Sequence, residues 1–197
     1  MLAKKICSAR ITMRTISEAD FTILHSWRNS NDYIRLFSIV RNTVSFEKFV
    51  CDKKKTLESK KESHFFIQRN ITDNPPLGTI YAYDINQIDG HAFIGLYIDQ
   101  KYRKCGYGAE AGVLMVCHLF DSLQLRKIYC DVFCYNSQSI SLMKNLEFHI
   151  EGTFKEHSFY EGRWHDVIRF AIFRDDTDRI RRLQGKFLRQ RFGREEV

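Results

Sequence analysis

The sequence predicts an α/β fold in which a mixed, mostly antiparallel sheet of about seven strands is flanked by helices. Three observations support this. Apolar and alternating segments follow one another in the order β-α-α-β-β-β-α-β-α-β-β along the 197 residues. Asp89-Gly90 is a hairpin-turn signal between two alternating runs, which requires antiparallel pairing. Two strand-helix-strand units allow one parallel pair within the same sheet.

The N-terminal third predicts one strand and three helical segments. Weak alternation over 9–14 indicates the first strand. Ser17 and Ser45 are candidate N-caps of two helices, because a serine hydroxyl can accept a hydrogen bond from a free backbone N–H of the first turn. A further short helix or turn is predicted over 33–37.

The rest of the chain continues the alternation of strands and helices. Strands are predicted at 64–68, 78–85, 91–98, 127–133, 148–159 and 164–173, and helices at 106–122 and 137–146. Ile180, Leu183 and Phe187 recur at helical spacing and predict a basic amphipathic helix over 178–192. We therefore divide the chain into one domain over 1–174 and a basic tail over 175–197.

Composition narrows the class of protein. The chain is 44% hydrophobic and 14% aromatic, which is enough to fill a core, and its net charge of +7 suits an anionic ligand. No apolar run approaches the ~20 residues of a membrane span, and 1–7 lacks the apolar stretch of a secretory signal. The six cysteines form no Cys-x-x-Cys pair, so we expect reduced thiols, no metal and a cytoplasmic location.

The segment from Ile98 to Ala111 is the most informative part of the sequence. A strand ends there, a basic turn with Arg103 and Lys104 follows, and two glycines two residues apart precede a long helix. Such a loop directs several backbone N–H groups at one point beside a positive helix end, which suits a pyrophosphate. No Gly-Lys-Ser/Thr closes it as in a Walker loop. A plain strand-to-helix turn with solvated cations is the alternative.

Four motifs in the same order resemble the GNAT superfamily of acetyltransferases. Arg103-Lys104-Cys105-Gly106-Tyr107-Gly108 resembles the acetyl-CoA-binding signature Arg/Gln-x-x-Gly-x-Gly/Ala of that family. The strand at 94–98, the helix motif at 136–148 and the closing hairpin at 151–167 also match, the hairpin in the manner of the RimJ/RimL branch. The resemblance runs from about residue 17 to 174 and implies the GNAT fold and an N-acetyltransferase.

The resemblance also implies a set of acetyl-CoA-binding residues. The pyrophosphate is expected on the backbone N–H groups of 105–108, the pantetheine arm along the strand edge at 96–98, and the acyl carbonyl near the N–H of Ile98. Transfer is expected to be direct, without a covalent enzyme intermediate. The full set is Leu96, Tyr97, Ile98, Arg103, Lys104, Cys105, Gly106, Tyr107, Gly108, Ala109, Asn136 and Ser139.

Two customary proton-handling residues of the family are replaced here. Met143 stands where many relatives have a Tyr that protonates the leaving thiolate, and Phe93 where RimJ/RimL relatives have a Glu. We therefore consider His91 as the first candidate base, since it shares a strand face with Phe93 and titrates near neutrality. Glu147 and Asp131 are weaker candidates, and Asn136 is assigned to the thiol end. His91 at a solvent edge is the alternative.

The acceptor is predicted from the end of the first helix. Trp27-Arg28-Asn29 resembles branches that acetylate amino sugars, often nucleotide-linked. Trp27, Arg28, Tyr33 and His165 are the substrate-binding candidates. Acetylation of protein N-termini is the alternative, whereas a polyamine is disfavoured because the chain is basic. Loss of both proton handlers also leaves open an acyl-CoA sensor without turnover. No nucleic-acid or membrane partner is expected, and a homodimer is possible.

Overall fold

The computed structural model describes residues 5–37, 41–59, 62–71 and 76–189. Their backbone forms one sheet of eight strands in the spatial order β1-β2-β3-β4-β5-β6-β8-β7. The strands are β1 (Lys5–Cys7), β2 (Ile11–Thr15), β3 (Ser63–Arg69), β4 (Gly78–Asn86), β5 (His91–Ile98), β6 (Lys127–Phe133), β7 (His149–Tyr160) and β8 (Arg163–Phe173). The helices are α1 (Phe21–Arg28), α2 (Asn31–Leu36), α3 (Phe46–Glu58), α4 (Tyr107–Leu123), α5 (Ser137–Asn145) and α6 (Asp178–Arg189).

The predicted fold class is confirmed. Every described neighbouring pair of strands is antiparallel except β5 and β6, which are parallel. The count of seven strands was one too low, because β1 pairs with β2 over only three residues and is too short to show a pattern. The predicted bounds of β5 and β6 agree with the structure.

Helices cover both faces of the sheet. The long helix α4 lies against one face and supplies much of the main core, with buried residues such as Leu114, Val116 and Phe120. The other face carries an aromatic cluster in which Trp27 packs on Phe66 and Tyr97. This second face is the one on which α1, α2 and α3 lie, and it brings them beside the end of β5.

The tail helix packs on the domain. Ile180 of α6 is fully buried in the main core, and Leu183 and Phe187 pack against it. Its cationic side chains form ion pairs with α4, as between Arg181 and Asp121, where the nitrogen-oxygen distance is 2.7 Å. The predicted helix continued to 192, and its last residues, 190–192, lie outside the described residues.

A serine caps α3 as the sequence predicts, whereas an aspartate makes the hydrogen bond before α1. The Ser45 hydroxyl accepts a hydrogen bond from the Lys48 N–H, as predicted. Before α1, the Asp20 carboxylate accepts from the Ser17 N–H at 2.8 Å and is held by Arg14. Among the described residues, no helix is both long and apolar enough to cross a membrane.

Candidate active site

A wedge opens in the middle of the sheet, between β5 and β6. The two strands pair only from His91 to Phe93 on β5 and from Lys127 to Tyr129 on β6. Beyond these pairs both strands continue, and they line opposite walls of a cavity. The N-terminus of α4 lies beside the open end of the wedge, where the glycine loop follows β5.

The glycine loop has the backbone geometry of an anion-binding turn. Gly106 is the N-cap of α4 and has φ +81°, a left-handed conformation that glycine adopts without strain. Among the described residues no side chain caps this helix end, and Glu110 is the first residue whose N–H bonds back within the turn, to Gly106. The preceding N–H groups of α4 thus face a cleft of about 220 Å³ beside the wedge.

A buried ion pair fixes the loop from behind. The Glu110 side chain is fully buried and accepts hydrogen bonds from Ser8 Oγ at 2.5 Å and from Arg10 Nε at 2.7 Å. Arg10 also donates to the Cys105 carbonyl at 3.2 Å. The turn between β1 and β2 therefore anchors both the loop and the first turn of α4. Sequence reasoning missed this pair, since its partners lie 100 residues apart.

The Arg103 side chain is paired with other groups of the protein. Its guanidinium forms a two-pronged ion pair with Asp32 of α2, and its Nε donates to the Ile98 carbonyl at 2.9 Å. It borders the cleft, but its donors hold α2 against the end of β5. Lys104, which has φ +62°, is the other cation of the loop that lines the cleft.

Most of the predicted acetyl-CoA-binding residues line this cleft. They are Leu96, Ile98, Arg103, Lys104, Gly106, Tyr107, Gly108, Ala109, Asn136 and Ser139. Two others do not. The Tyr97 side chain points to the opposite face, where it packs on Trp27 and Tyr33, and Cys105 is exposed outside the cleft lining.

A second cavity, which we call the acceptor cavity, continues from the cleft into the wedge. Its volume is about 450 Å³. The two spaces share Leu96 of β5, Leu36 of α2, and Asn136 and Ser139 at the start of α5. Asn136 is buried, and its side-chain oxygen accepts from the Ser139 N–H at 3.1 Å, which caps α5. Asn136 thus lies where the cleft meets the cavity.

Among the described residues, the acceptor cavity is lined by two carboxylates and several aromatic rings, and by no lysine or arginine. Its lining comprises Leu36, Phe37, Glu62, Tyr81, Tyr83, Ile94, Gly95, Leu96, Cys130, Asp131, Val132, Phe133, Asn136, Ser139, Leu142, Met143, His157, Ser158 and Val167. Gly95 is required here, because a Cβ at that position would lie 2.3 Å from the Tyr81 ring.

The two carboxylates differ in their partners. Asp131 is held by Arg169 in a two-pronged pair at 2.8 and 2.7 Å. Glu62 instead accepts a hydrogen bond from His64 Nε2 at 2.9 Å. Burial raises the pKa values of Tyr81 and Tyr83 well above the usual range, so both phenols stay neutral. Burial likewise raises the pKa of the Cys130 thiol to about 12.

The structure does not bring the predicted proton handlers together. His91 lies at the start of β5 and contacts the Phe93 and Tyr129 rings, outside the lining of the acceptor cavity. Glu147 lies in the turn after α5 and pairs with Arg179 of the tail at 2.9 Å. Of the three catalytic candidates, only Asn136 lines the site. Both positions thus argue against His91 and Glu147.

The structure shows the surroundings of Met143 and Phe93, which stand where many relatives have proton-handling side chains. Met143 is buried and lines the acceptor cavity with its thioether, which carries no proton to donate. Phe93 stacks on Tyr129 with a centroid distance of 4.9 Å, and Arg169 lies over its ring at 4.8 Å. A carboxylate at position 93 would face that guanidinium rather than the wedge.

The predicted substrate-binding residues line a third space, which we call the cationic cavity. It has a volume of about 450 Å³ between α1, α3 and β3–β4, and Trp27, Arg28 and Tyr33 line it. Its charged lining residues are Arg28, Lys48, Lys53 and Asp52, two more cations than anions. Trp27 is buried and donates to Asp99, so it is mainly structural. His165 is buried by Tyr135 and lines none of the three spaces.

The described residues contain no group of three or more His, Cys, Asp or Glu side chains that could hold a metal ion. The groups that the described residues place along the cleft and the acceptor cavity are backbone N–H groups, carboxylates and neutral phenols. That set suits the binding of an anionic carrier at one end and of a cation at the other.

Comparison with known proteins agrees with this arrangement. Residues 10–149 match the family model described as an acetyltransferase (GNAT) domain. The chain therefore belongs to the GNAT acetyltransferase family, and it is an N-acetyltransferase. The fold is also that of the spermidine N-acetyltransferase of Vibrio cholerae solved with CoA and spermine, with a TM-score of 0.80 and 22% identity over 85% of this chain and 97% of that one.

Relatives by sequence cover most of the chain. An uncharacterised SPbeta prophage-derived N-acetyltransferase, YokL, of Bacillus subtilis is 25% identical over 85% of this chain and 92% of its own length. Spermidine N(1)-acetyltransferase of Escherichia coli K12 is 23% identical over 83% of this chain and 86% of its own length. These relatives support an amine acceptor. The resemblances to the RimJ/RimL and amino-sugar branches stay predictions.

Proposed function

We propose that the chain transfers the acetyl group of acetyl-CoA to a primary amine of an aliphatic polyamine bound in the acceptor cavity. One observation carries this proposal. The cavity that continues from the glycine-loop cleft is lined by two carboxylates and aromatic rings, and within the described ranges no lysine or arginine lines it. Aromatic faces and carboxylates together favour alkylammonium groups.

The residues of the cleft fit the carrier. The free N–H groups at the start of α4 would hold its pyrophosphate, with the charge of Lys104 nearby. The unpaired edge of β5 from Ile94 to Ile98 would hold the pantetheine arm as an added strand. Acetyl-CoA supplies a thioester whose carbonyl carbon the amine attacks. Asn136, buried where cleft and cavity meet, would orient the thioester end.

This proposal revises an argument made from net charge. A chain with net charge +7 was expected to disfavour a polycation. The local lining decides binding, because a charge beyond about 10 Å is screened at physiological salt whereas a group in the cavity wall is not. The spermidine N-acetyltransferases among the relatives support the same acceptor class.

A second candidate acceptor is an amine that also carries an anionic group, such as a nucleotide-linked amino sugar. The cationic cavity favours it, because Arg28, Lys48 and Lys53 face about 450 Å³ of space that meets the acceptor cavity at Tyr81. An anionic group there would place the amine of the same molecule towards the wedge.

Release of the CoA thiol, measured with acetyl-CoA and three acceptor sets, tests the proposal. The sets are spermidine and spermine, nucleotide-linked amino sugars, and peptides with free N-termini. Saturable thiol release with the polyamines alone supports the first candidate, and release with the amino sugars alone supports the second. If no set exceeds the rate without acceptor while acetyl-CoA still binds, the chain is an acyl-CoA sensor and the proposal fails.

A further inference from the structure

The proton of the acceptor amine needs a base, and the structure offers one that the sequence did not indicate. At neutral pH a primary alkylamine is protonated, and its nitrogen attacks a carbonyl only after that proton has left. The customary carboxylate on β5 is Phe93 here, and His91 lies outside the cavity. The base must therefore come from another wall of the acceptor cavity.

Two carboxylates line that cavity, and they are not equivalent as bases. Both oxygens of Asp131 accept hydrogen bonds from the Arg169 guanidinium, so both are occupied by that pair. Glu62 has a different partner, the imidazole of His64, and its side chain is 33% exposed. No described residue is hydrogen-bonded to its other oxygen, and Glu62 lines the cavity. Glu62 is the better base of the two.

His64 is a neutral donor to this carboxylate. Its ring is buried and stacks on Tyr81 with a centroid distance of 5.1 Å and an interplanar angle of 8°. Burial, and then the charge of Lys53, lower its pKa to about 3. A neutral imidazole has one N–H, and Lys53 Nζ lies 3.3 Å from Nδ1, so an ammonium there donates to Nδ1 and leaves the N–H on Nε2.

We infer that Glu62 is the general base that accepts the amine proton, and that His64 and Lys53 are positioning residues that hold its carboxylate towards the acceptor cavity. The chain of contacts runs from Lys53 in the cationic cavity through His64 to Glu62 in the acceptor cavity. This inference rests on the proposed function, because it supposes an amine in that cavity.

The proton balance is simple. The ammonium gives one proton to the Glu62 carboxylate, and the amine nitrogen then forms a bond to the acetyl carbon while the bond from that carbon to sulfur breaks. The nitrogen loses its second proton as the amide forms, and the departing thiolate takes up that proton through cavity water and leaves as the CoA thiol. Glu62 directly precedes β3, which lies two strands from the open edge of β5, a separation of ~10 Å. Water in the cavity therefore carries the proton over part of this distance, and Glu62 returns it to solvent through its exposed face.

Among the described residues, several titratable groups lie around Glu62. His64 on β3 is hydrogen-bonded to it, Lys53 on α3 contacts His64, and Tyr81 and Tyr83 on β4, Asp131 on β6 and His157 on β7 line the same cavity. The phenols are neutral because their pKa values are raised, and Asp131 is paired with Arg169. The N–H of His64 and the charge of Lys53 both stabilise a carboxylate, so removing either should move the acidic limb of the kcat/KM profile to higher pH.

The test compares the pH profile of kcat/KM in the full-length protein and its variants, with spermidine or whichever acceptor set the wild type uses. Glu62→Gln is expected to lower kcat/KM by about 10²-fold and to abolish the acidic limb. Glu58→Gln, at the exposed end of α3 and outside all three spaces, is the matched control. Acetyl-CoA affinity measured by calorimetry should be unchanged in both, which checks folding.

Three further variants separate a positioning role from an effect on stability. His64→Phe keeps a ring against Tyr81 but loses the donor, and Lys53→Met loses the charge; both should shift the acidic limb to higher pH. Lys53→Arg keeps a cationic donor and should restore the wild-type limb. If the kcat/KM of Glu62→Gln stays within threefold of that of the control, and the acidic limb of its pH profile is unchanged, the base is another group. If no amine is acetylated by the wild type, the proposed function itself fails.

Discussion

The glycine loop and the acceptor cavity are two ends of one site, and they are built in opposite ways. The loop uses backbone groups of consecutive residues around Gly106, held by one helix terminus. The cavity uses side chains from β4, β5, β6, β7, β8, α2 and α5, and from Glu62 just before β3. A binding site made of consecutive backbone groups can be recognised as a short motif, whereas a site assembled from separate parts of the chain has no local pattern.

The largest expected effect is on the free energy of unfolding, when the ion pair that anchors the glycine loop is removed. Arg10→Met leaves the fully buried Glu110 carboxylate without its cation, which should lower the free energy of unfolding by about 3 kcal/mol. Arg179→Met is the control, because its pair with Glu147 is about half exposed and should contribute less than about 1 kcal/mol. Urea unfolding of the two variants measures the difference, and equal losses would contradict the anchoring role.

The second-largest effect should be on acetyl-CoA affinity, when the backbone conformation of the glycine loop is changed. Gly106→Ala forces an L-residue into φ +81° and brings its Cβ within 3.3 Å of the Arg10 guanidinium. The strain of ~1–2 kcal/mol should weaken acetyl-CoA binding by roughly tenfold. Gly152→Ala, which meets no described atom within 4 Å, should bind as the wild type does. Calorimetry with acetyl-CoA decides, and unchanged affinity in Gly106→Ala would show that the backbone conformation is not needed.

At the acceptor end, stability should depend on pH through His64. Burial lowers its folded pKa to about 3, against an unfolded value near 6.5. Between these values the unfolded chain binds a proton that the folded chain does not, so stability falls as pH decreases below about 6.5. The slope is at most about 1.4 kcal/mol per pH unit. His64→Phe should remove this slope between pH 6.5 and 5, and an identical slope in both proteins would contradict a neutral buried imidazole.

The smallest effect should be at the rim of the cationic cavity. Lys48→Glu reverses an exposed charge there without touching the acceptor cavity. For a polyamine acceptor the KM should fall a few-fold, and for an anionic amine it should rise by a similar factor, as expected of a solvent-screened charge. Steady-state kinetics distinguishes the two acceptors by the sign of the change in KM. A second salt concentration checks that the change is electrostatic, because raising the salt should reduce it.

The same contrast explains how far the sequence carried the interpretation. The strands β5 and β6 and the helix after Gly106 were predicted from alternation, a glycine pair and helical spacing, all of which are local. The confirmed fold class followed from the order of these elements. Pairings across the chain were out of reach, because nothing near Arg10 points to Glu110, and nothing near Lys53 points to His64.

The misplaced base has a similar physical reason. His91 and Phe93 do share a strand face, as the alternation indicates. The wedge, however, opens only after Phe93, so His91 lies where β5 and β6 are still paired. Alternation along a strand predicts which face of the sheet a side chain occupies. It does not predict where two neighbouring strands separate, and the position of the site depends on that separation.

The acceptor cavity also contains a sulfur beside the place proposed for a thioester. Cys130 lines that cavity, and burial keeps its thiol protonated far above neutral pH. Acyl exchange between sulfurs proceeds through a thiolate, which Cys130 does not provide under these conditions. The enzyme thereby keeps the acetyl group from migrating onto its own side chain, and a thiol-directed inhibitor should label exposed Cys51 or Cys134 well before this one.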